Sequence, residues 1–132
     1  MSFAAAQIAI ESRFATNFTA CPVNYPNVPY DPVAGTTFCK IEVIQSWSQR
    51  ADIGTNNPLH RNFGIINVNI YLPIGTGTNT GQTLADMAAA VFRDQSFSGI
   101  TCRSPLVRNV GEVEGWYLVN MTCPFYHDDV YP

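Results

Sequence analysis

The chain has 132 residues, 46% of them hydrophobic and only 13% charged, with a formal net charge of −3. That length predicts one domain over residues 1–132, large enough to bury a core. With no run of Lys or Arg the composition excludes direct wrapping of nucleic acid, and no window approaches the ~18 apolar residues of a membrane span.

The first residues, MSFAAAQIAIESRF, lack the basic start of a secretory leader, and Glu11 and Arg13 interrupt the apolar run. Ser2 is placed to cap a helix over residues 3–18, with Phe3, Ala6, Gln7, Ile10, Phe14 and Phe18 on one face. Residues 19–37 contain Pro22, Pro26, Pro29 and Pro32, which forbid a helix and any central strand. An extended segment with a short edge strand near residues 23–25 is expected.

Residues 38–47, FCKIEVIQSW, set Cys39, Ile41 and Val43 against Lys40 and Glu42, the alternation of a half-buried strand. Residues 48–62 are polar with Gly54 and Pro58, and predict a long connection to an antiparallel partner strand. In that partner, residues 63–72, Ile66, Val68, Ile70 and Leu72 face one way, and Asn67, Asn69 and Tyr71 the other. Pro73 ends it. A Gly/Thr/Asn-rich turn leads into a helix whose stripe is Leu84, Met87, Ala88, Val91 and Phe92. Asp86 lies early in it and Arg93 in its last turn, as the helix dipole favours. A short strand within residues 96–102 precedes a hairpin of residues 106–110, a Gly111–Gly115 turn and residues 116–125. The tail, YHDDVYP, is acidic and aromatic.

This order predicts an α+β fold: a mainly antiparallel mixed β-sheet with two α-helices packed on one face. The other face is partly polar and must meet water or a neighbour.

Chemistry-bearing residues are few. Cys21, Cys39, Cys102 and Cys123 form no CxxC and have long, irregular gaps. They read as free buried thiols of a reducing compartment, with pairing left open. The two histidines are His60, beside Arg61, and His127, beside Asp128 and Asp129. Adjacent residues diverge along an extended chain, so neither makes a metal or base site. Residues 75–81, GTGTNTG, open a helix after a strand but lack the Lys-Ser/Thr of a phosphate loop, and read as a turn. Asn17-Phe18-Thr19 and Asn120-Met121-Thr122 are chance matches to a glycosylation pattern. Arg50, Arg61, Arg103 and Arg108 are scattered. Trp47, Trp116 and Tyr117 are the large aromatics; one left exposed would anchor an interface. No catalytic residue, cofactor or metal is implied.

Four stretches carry a resemblance over the whole chain. They are AAAQIAIESRFATNF followed by NVPYDP; the strand pair ending in NIYLPIGTGT; LADMAAAVFRDQSFSGI with the Arg-containing strand after it; and VGEVEGWYLVNMTCPFYHDD. In this order they resemble the tail terminator proteins of long-tailed bacteriophages, the group that includes the lambda type. The resemblance implies a structural, non-enzymatic virion protein forming a hexameric ring. Such a ring stops polymerisation of the tail tube and meets the head-completion or stopper protein at the head–tail junction. DNA passes transiently through its hole, no membrane is involved, and assembly takes place in the host cytoplasm. Another head–tail connector or minor tail protein, or a small ligand-binding or enzymatic α+β domain, are the alternatives.

A ring needs a heterologous contact that closes on rotation. The expected subunit interface is the 48–62 loop with its strand end: Trp47, Arg50, Asp52, Asn56, Asn57, His60 and Arg61. The expected axial contact with tube or stopper is the tail: Tyr126, His127, Asp128, Asp129 and Tyr131.

Overall fold

The computed structural model describes residues 2–50 and 58–130. Its elements are α1 (Phe3–Asn17), β1 (Val23–Asn24), β2 (Phe38–Arg50), β3 (Leu59–Pro73), α2 (Asn79–Phe92), β4 (Ser96–Phe97), β5 (Ile100–Cys102), β6 (Leu106–Val113) and β7 (Trp116–Val130). The sheet runs β1-β2-β3-β7-β5-β4, and β6 also pairs with β7. Among the described residues only the β1–β2 pair is parallel. The fold is α+β, with both helices on one face, as the sequence predicts.

The two faces follow from the period of two. Ile66, Val68, Ile70 and Leu72 of β3 are buried, while Asn67, Asn69 and Tyr71 are only half-buried on the other face. Register carries this into β7, where Val119, Met121, Cys123 and Phe125 join the same core. Ala6, Ile10 and Phe14 of α1 close the core from above. Ser2 caps α1, its Oγ accepting from the Ala5 N–H at 3.0 Å. Phe14 stacks between Phe18 and Phe92, at 4.7 and 5.9 Å, and so ties α1 to α2. Phe3, expected on this stripe, is largely exposed, and Gln7 is half-buried.

The face of α2 is rotated from expectation. Gly81, Ala85, Ala88, Ala89, Val91 and Phe92 are buried, and Met87 lies outside. The reason is distance. A Cβ on Gly81 would sit 2.7 Å from Val119 Cγ2 and 2.8 Å from Leu72 Cδ1, so the helix lies too close for large side chains. Gly81 is therefore a packing glycine inside the helix. The turn before it uses Gly75 and Gly77, at φ 92° and 85°.

Two expected boundaries are corrected. Residues 48–50 and 59–62, expected in the polar connection, are strand: Ser48, Gln49 and Arg50 pair with Asn62, Arg61 and His60. A bulge between Gln45 and Trp47 resets the register, and β7 backs the ladder by pairing Asp128–Val130 with Leu59–Arg61. Likewise residues 126–130 are no free tail but the end of β7. A fully paired backbone outweighs the polar side chains that suggested irregular structure. The last hairpin turns on Glu114 and Gly115, both at positive φ (50° and 85°), a two-residue turn tighter than the Gly111–Gly115 span expected.

Gly64 marks a second close approach. A Cβ there would lie 2.5 Å from Phe125 Cζ and 2.6 Å from the Ile44 carbonyl oxygen. Gly64→Ala should lower stability by about 1–3 kcal/mol through overpacking. The urea midpoint of the variant measures it; an unchanged midpoint would show that the Phe125 ring yields freely.

Candidate functional site at the open edges and one end of the sheet

Both flanks of the long strands are open. β2 is covered by β1 only at Cys39 and Lys40. Beyond Lys40, no described strand pairs with its outer edge. Alongside lies a cleft of about 690 Å³, lined by Gln7, Tyr25, Lys40, Glu42, Val43 and Ile44 among others. On the opposite flank, β6 pairs only with β7 among the described residues. These edges carry exposed apolar side chains: Ile44 and Trp47 on β2, and Leu106, Val110 and Val113 on β6. An unpaired edge with apolar flanks is a template for another chain. Each edge also has one bulge, between Gln45 and Trp47 and between Asn109 and Gly111, which confines regular pairing to a short run.

At one end of the sheet the register gathers residues that the sequence assigned to two separate surfaces. Arg61 of β3 faces Asp128 of β7, donating from Nε at 2.8 Å and from its terminal nitrogen at 3.0 Å. The guanidinium also lies 4.4 Å from the Tyr126 ring centroid, and that of Arg103 lies 5.2 Å from it. Tyr126 continues through Phe63 (6.2 Å) to Trp47 (5.3 Å), whose side chain is 54% exposed. Between helix-free strands this makes an aromatic and cationic row on the bare face. The Arg61 hydrogen bonds hold the Asp128 carboxyl below the usual carboxylate range, against a smaller opposing effect of burial.

On the helix side of the same end the polar groups are enclosed. His127 is 0% and Asp129 3% exposed. Ser48 Oγ donates to Asn62 Oδ1 at 2.5 Å, and Asn62 Nδ2 donates to Asp129 Oδ2 at 2.9 Å. His127 Nδ1 lies 3.4 Å from that same carboxylate oxygen. The imidazole packs edge-on against Phe3, 5.5 Å away, and parallel to Phe125. His127 and Asp129, expected as an axial contact, therefore point into the subunit, because strand pairing sends alternate side chains to opposite faces. Tyr126 and Asp128 point outward. Arg50 and His60 are opposite each other in the β2–β3 ladder. Asp52, Asn56, Asn57 and Tyr131 lie outside the described residues.

The middle of the bare face is an amide ladder. Asn120 Nδ2 donates to Asn67 Oδ1 and Asn69 Oδ1 at 2.5 and 2.7 Å, and Thr122 Oγ1 donates to Asn120 Oδ1 at 2.7 Å. The Gly-rich turn closes on itself, with Thr76 donating from N and Oγ1 to the Pro73 carbonyl. Among the described residues no three His, Cys, Asp or Glu side chains converge on a common point.

Residues 5–124 match the family model of the phage tail terminator protein. The chain belongs to that family. It is thus a structural protein of the phage tail. No curated protein matches it. One solved structure superposes with a TM-score of 0.69 at 22% identity, covering 100% of this chain and 99% of the other, a likeness of fold. Glu42, Ile44 and Leu106, which the sequence reading left unassigned, lie with Arg108 on these edge strands. The alternation in LVRNV was visible, but which strand would lie outermost was not.

Two outcomes test this end of the sheet. Asn62→Leu leaves the buried Asp129 carboxylate without its Asn donor and should cost about 1–3 kcal/mol, read from chemical denaturation. The Arg61–Asp128 pair lowers a carboxylate pKa on folding. Its contribution is therefore present above the unfolded value near ~4 and lost as pH falls through the folded one. Stability measured between roughly pH 2 and 6 should show wild type exceeding Asp128→Asn at the upper end, with the gap closing below ~4. A gap independent of pH would assign the loss to packing.

Proposed function

We propose that this protein is the tail terminator itself, a hexameric ring that caps the tail tube, stops its polymerisation and joins it to the head-completion or stopper protein. Family membership supports the tail assignment. The observation that carries the ring is the pair of open edges on one sheet. In the order β2-β3-β7-β6 each strand is antiparallel to the next. A rotation about an axis along the strands keeps their direction, so the β2 of a following copy arrives antiparallel to β6. The contact is heterologous and repeats, as a closed ring requires.

An antiparallel register that sets Arg108 opposite Glu42 also sets Leu106 opposite Ile44 and Val107 opposite Val43. One ion pair then lies among apolar contacts, in the cleft beside β2. Trp47 and Arg50 continue along the same edge and belong to this subunit interface, with His60 and Arg61 opposite Arg50 and Gln49; Asp52, Asn56 and Asn57 are assigned to it from the sequence. The helices occupy one face and need the larger circumference, so the bare face lines the hole. Its amides and matched charges favour weak contact with passing DNA over tight binding. Tyr126 and Asp128 lie toward one rim and, with Tyr131 assigned to the same contact from the sequence, meet the tube or the stopper. Assembly takes place in the host cytoplasm, and the product resides at the head–tail junction of the virion.

Native mass spectrometry and negative-stain imaging of the purified chain test the reading. A six-membered annulus is expected. Glu42→Arg or Arg108→Glu alone should shift material to monomer, and the two combined should restore the ring, with circular dichroism unchanged throughout. A chain that stays monomeric, alone and with tail tube protein, would overturn the proposal. Rings indifferent to both reversals would displace the contact from these edges.

A further inference from the structure

All four cysteines are free thiols, and the fold brings them together as two pairs. Cys39 lies on the core face of β2, and its N–H donates to the carbonyl of Pro22, the residue after Cys21, at 2.9 Å. The Cys21 and Cys39 thiols are near enough to perturb each other, lowering the pKa of Cys21 and raising that of Cys39. Cys102 pairs with Phe125 across the β5–β7 ladder, which sets it diagonal to Cys123 on the same face. These two thiols perturb each other in the same way, Cys123 lowered and Cys102 raised, and Cys123 Sγ lies 3.5 Å from the Arg103 carbonyl oxygen. Of the three ways to pair four cysteines, the fold selects one. Neither pair is bridged, and neither is used by the edges or the sheet end.

We propose that these pairs are latent disulfides, Cys21–Cys39 and Cys102–Cys123, which close when the protein meets an oxidising medium. The first would staple the Pro-rich segment to β2; the second would staple β5 to β7. With a small disulfide such as oxidised glutathione as oxidant, the Cys21 thiolate attacks one of its sulfurs and releases one glutathione thiolate. The Cys39 sulfur, losing its proton to solvent, then attacks the mixed disulfide at Cys21 and releases the second. Two protein thiols become one disulfide, and one glutathione disulfide becomes two thiols. Cys21 suits the first attack. It is partly exposed, and the neighbouring Cys39 thiol holds its pKa below the ordinary thiol value. Cys102 and Cys123 are both buried, so their bond needs β5 to open and forms more slowly. Virions leave a reducing compartment for an oxidising one, which supplies the occasion. The chemistry is independent of ring assembly; only its timing rests on that reading.

Tryptic mapping of the folded, reduced protein after treatment with oxidised glutathione decides it. Cys21 and Cys39 share the peptide of residues 14–40, whose mass should fall by two hydrogens first. Cys102 and Cys123 lie in the peptides of residues 94–103 and 109–132, which should later appear as one linked species. Cys21→Ser should abolish the first change and leave the second. Persistent free thiols, stable glutathione adducts without internal bonds, or any cross-pairing between the two sets would overturn the proposal. Oligomeric state measured on the same samples separates this from the ring: rings without disulfides would sink only this inference, disulfides without rings only the other.

Discussion

The fifteen-residue ladder of β3 with β7, Leu59–Pro73 against Trp116–Val130, fixes the rest of the molecule. A single-residue slip of β3 would turn its faces over relative to β7. It would bury Asn67 and Asn69 under the helices and expose Ile66, Val68 and Ile70. Those core residues are fully enclosed, so the register is determined over the whole length by hydrophobic burial. Gly64 and Gly81 reinforce it from opposite directions. Each lets a neighbouring element, the Phe125 ring or α2, come nearer than any side chain would allow.

One ladder has two consequences at its far end. On the bare face it lines up Arg61 with Asp128 and Phe63 with Tyr126, a row that remains in reach of a partner. On the covered face it places Asn62, His127 and Asp129, with the His127 ring packed on Phe3 and Phe125. Burial of Asp129 is compensated by the Asn62 amide, itself engaged by Ser48. The outward pair is worth little to stability, since exposed ion pairs contribute ~0–1 kcal/mol. In the inward cluster Asn62 and Asp129 hold each other, while neither ring nitrogen of the buried His127 has a hydrogen-bond partner among the described residues.

The sequence made the faces legible and the ends illegible, for one physical reason. Periodicity reports burial, so β3, α1 and the class of the fold could be read where apolar residues alternate or stripe. Residues 48–50, 59–62 and 126–130 are mostly polar, and their strand state comes from backbone pairing with partners up to 71 residues away. No local pattern encodes that. The rotated face of α2 has a similar origin. Met87 and Leu84 look like core by size, but Ala85, Ala89 and Gly81 win because the helix sits close to Val119 and Leu72. Trp47 was recognisable as a large aromatic; its exposure depends on the bulge before it.

The cysteines show the same limit in another form. Spacing in the chain could not choose among pairings, whereas the parallel β1–β2 contact and the antiparallel β5–β7 contact choose both at once. The strands that bring the thiols together flank the central ladder on either side. They are the short elements, two or three residues each, least able to hold themselves by hydrogen bonds alone. A covalent link at these two places would therefore act where the sheet is weakest, leaving the long strands and their open edges unchanged.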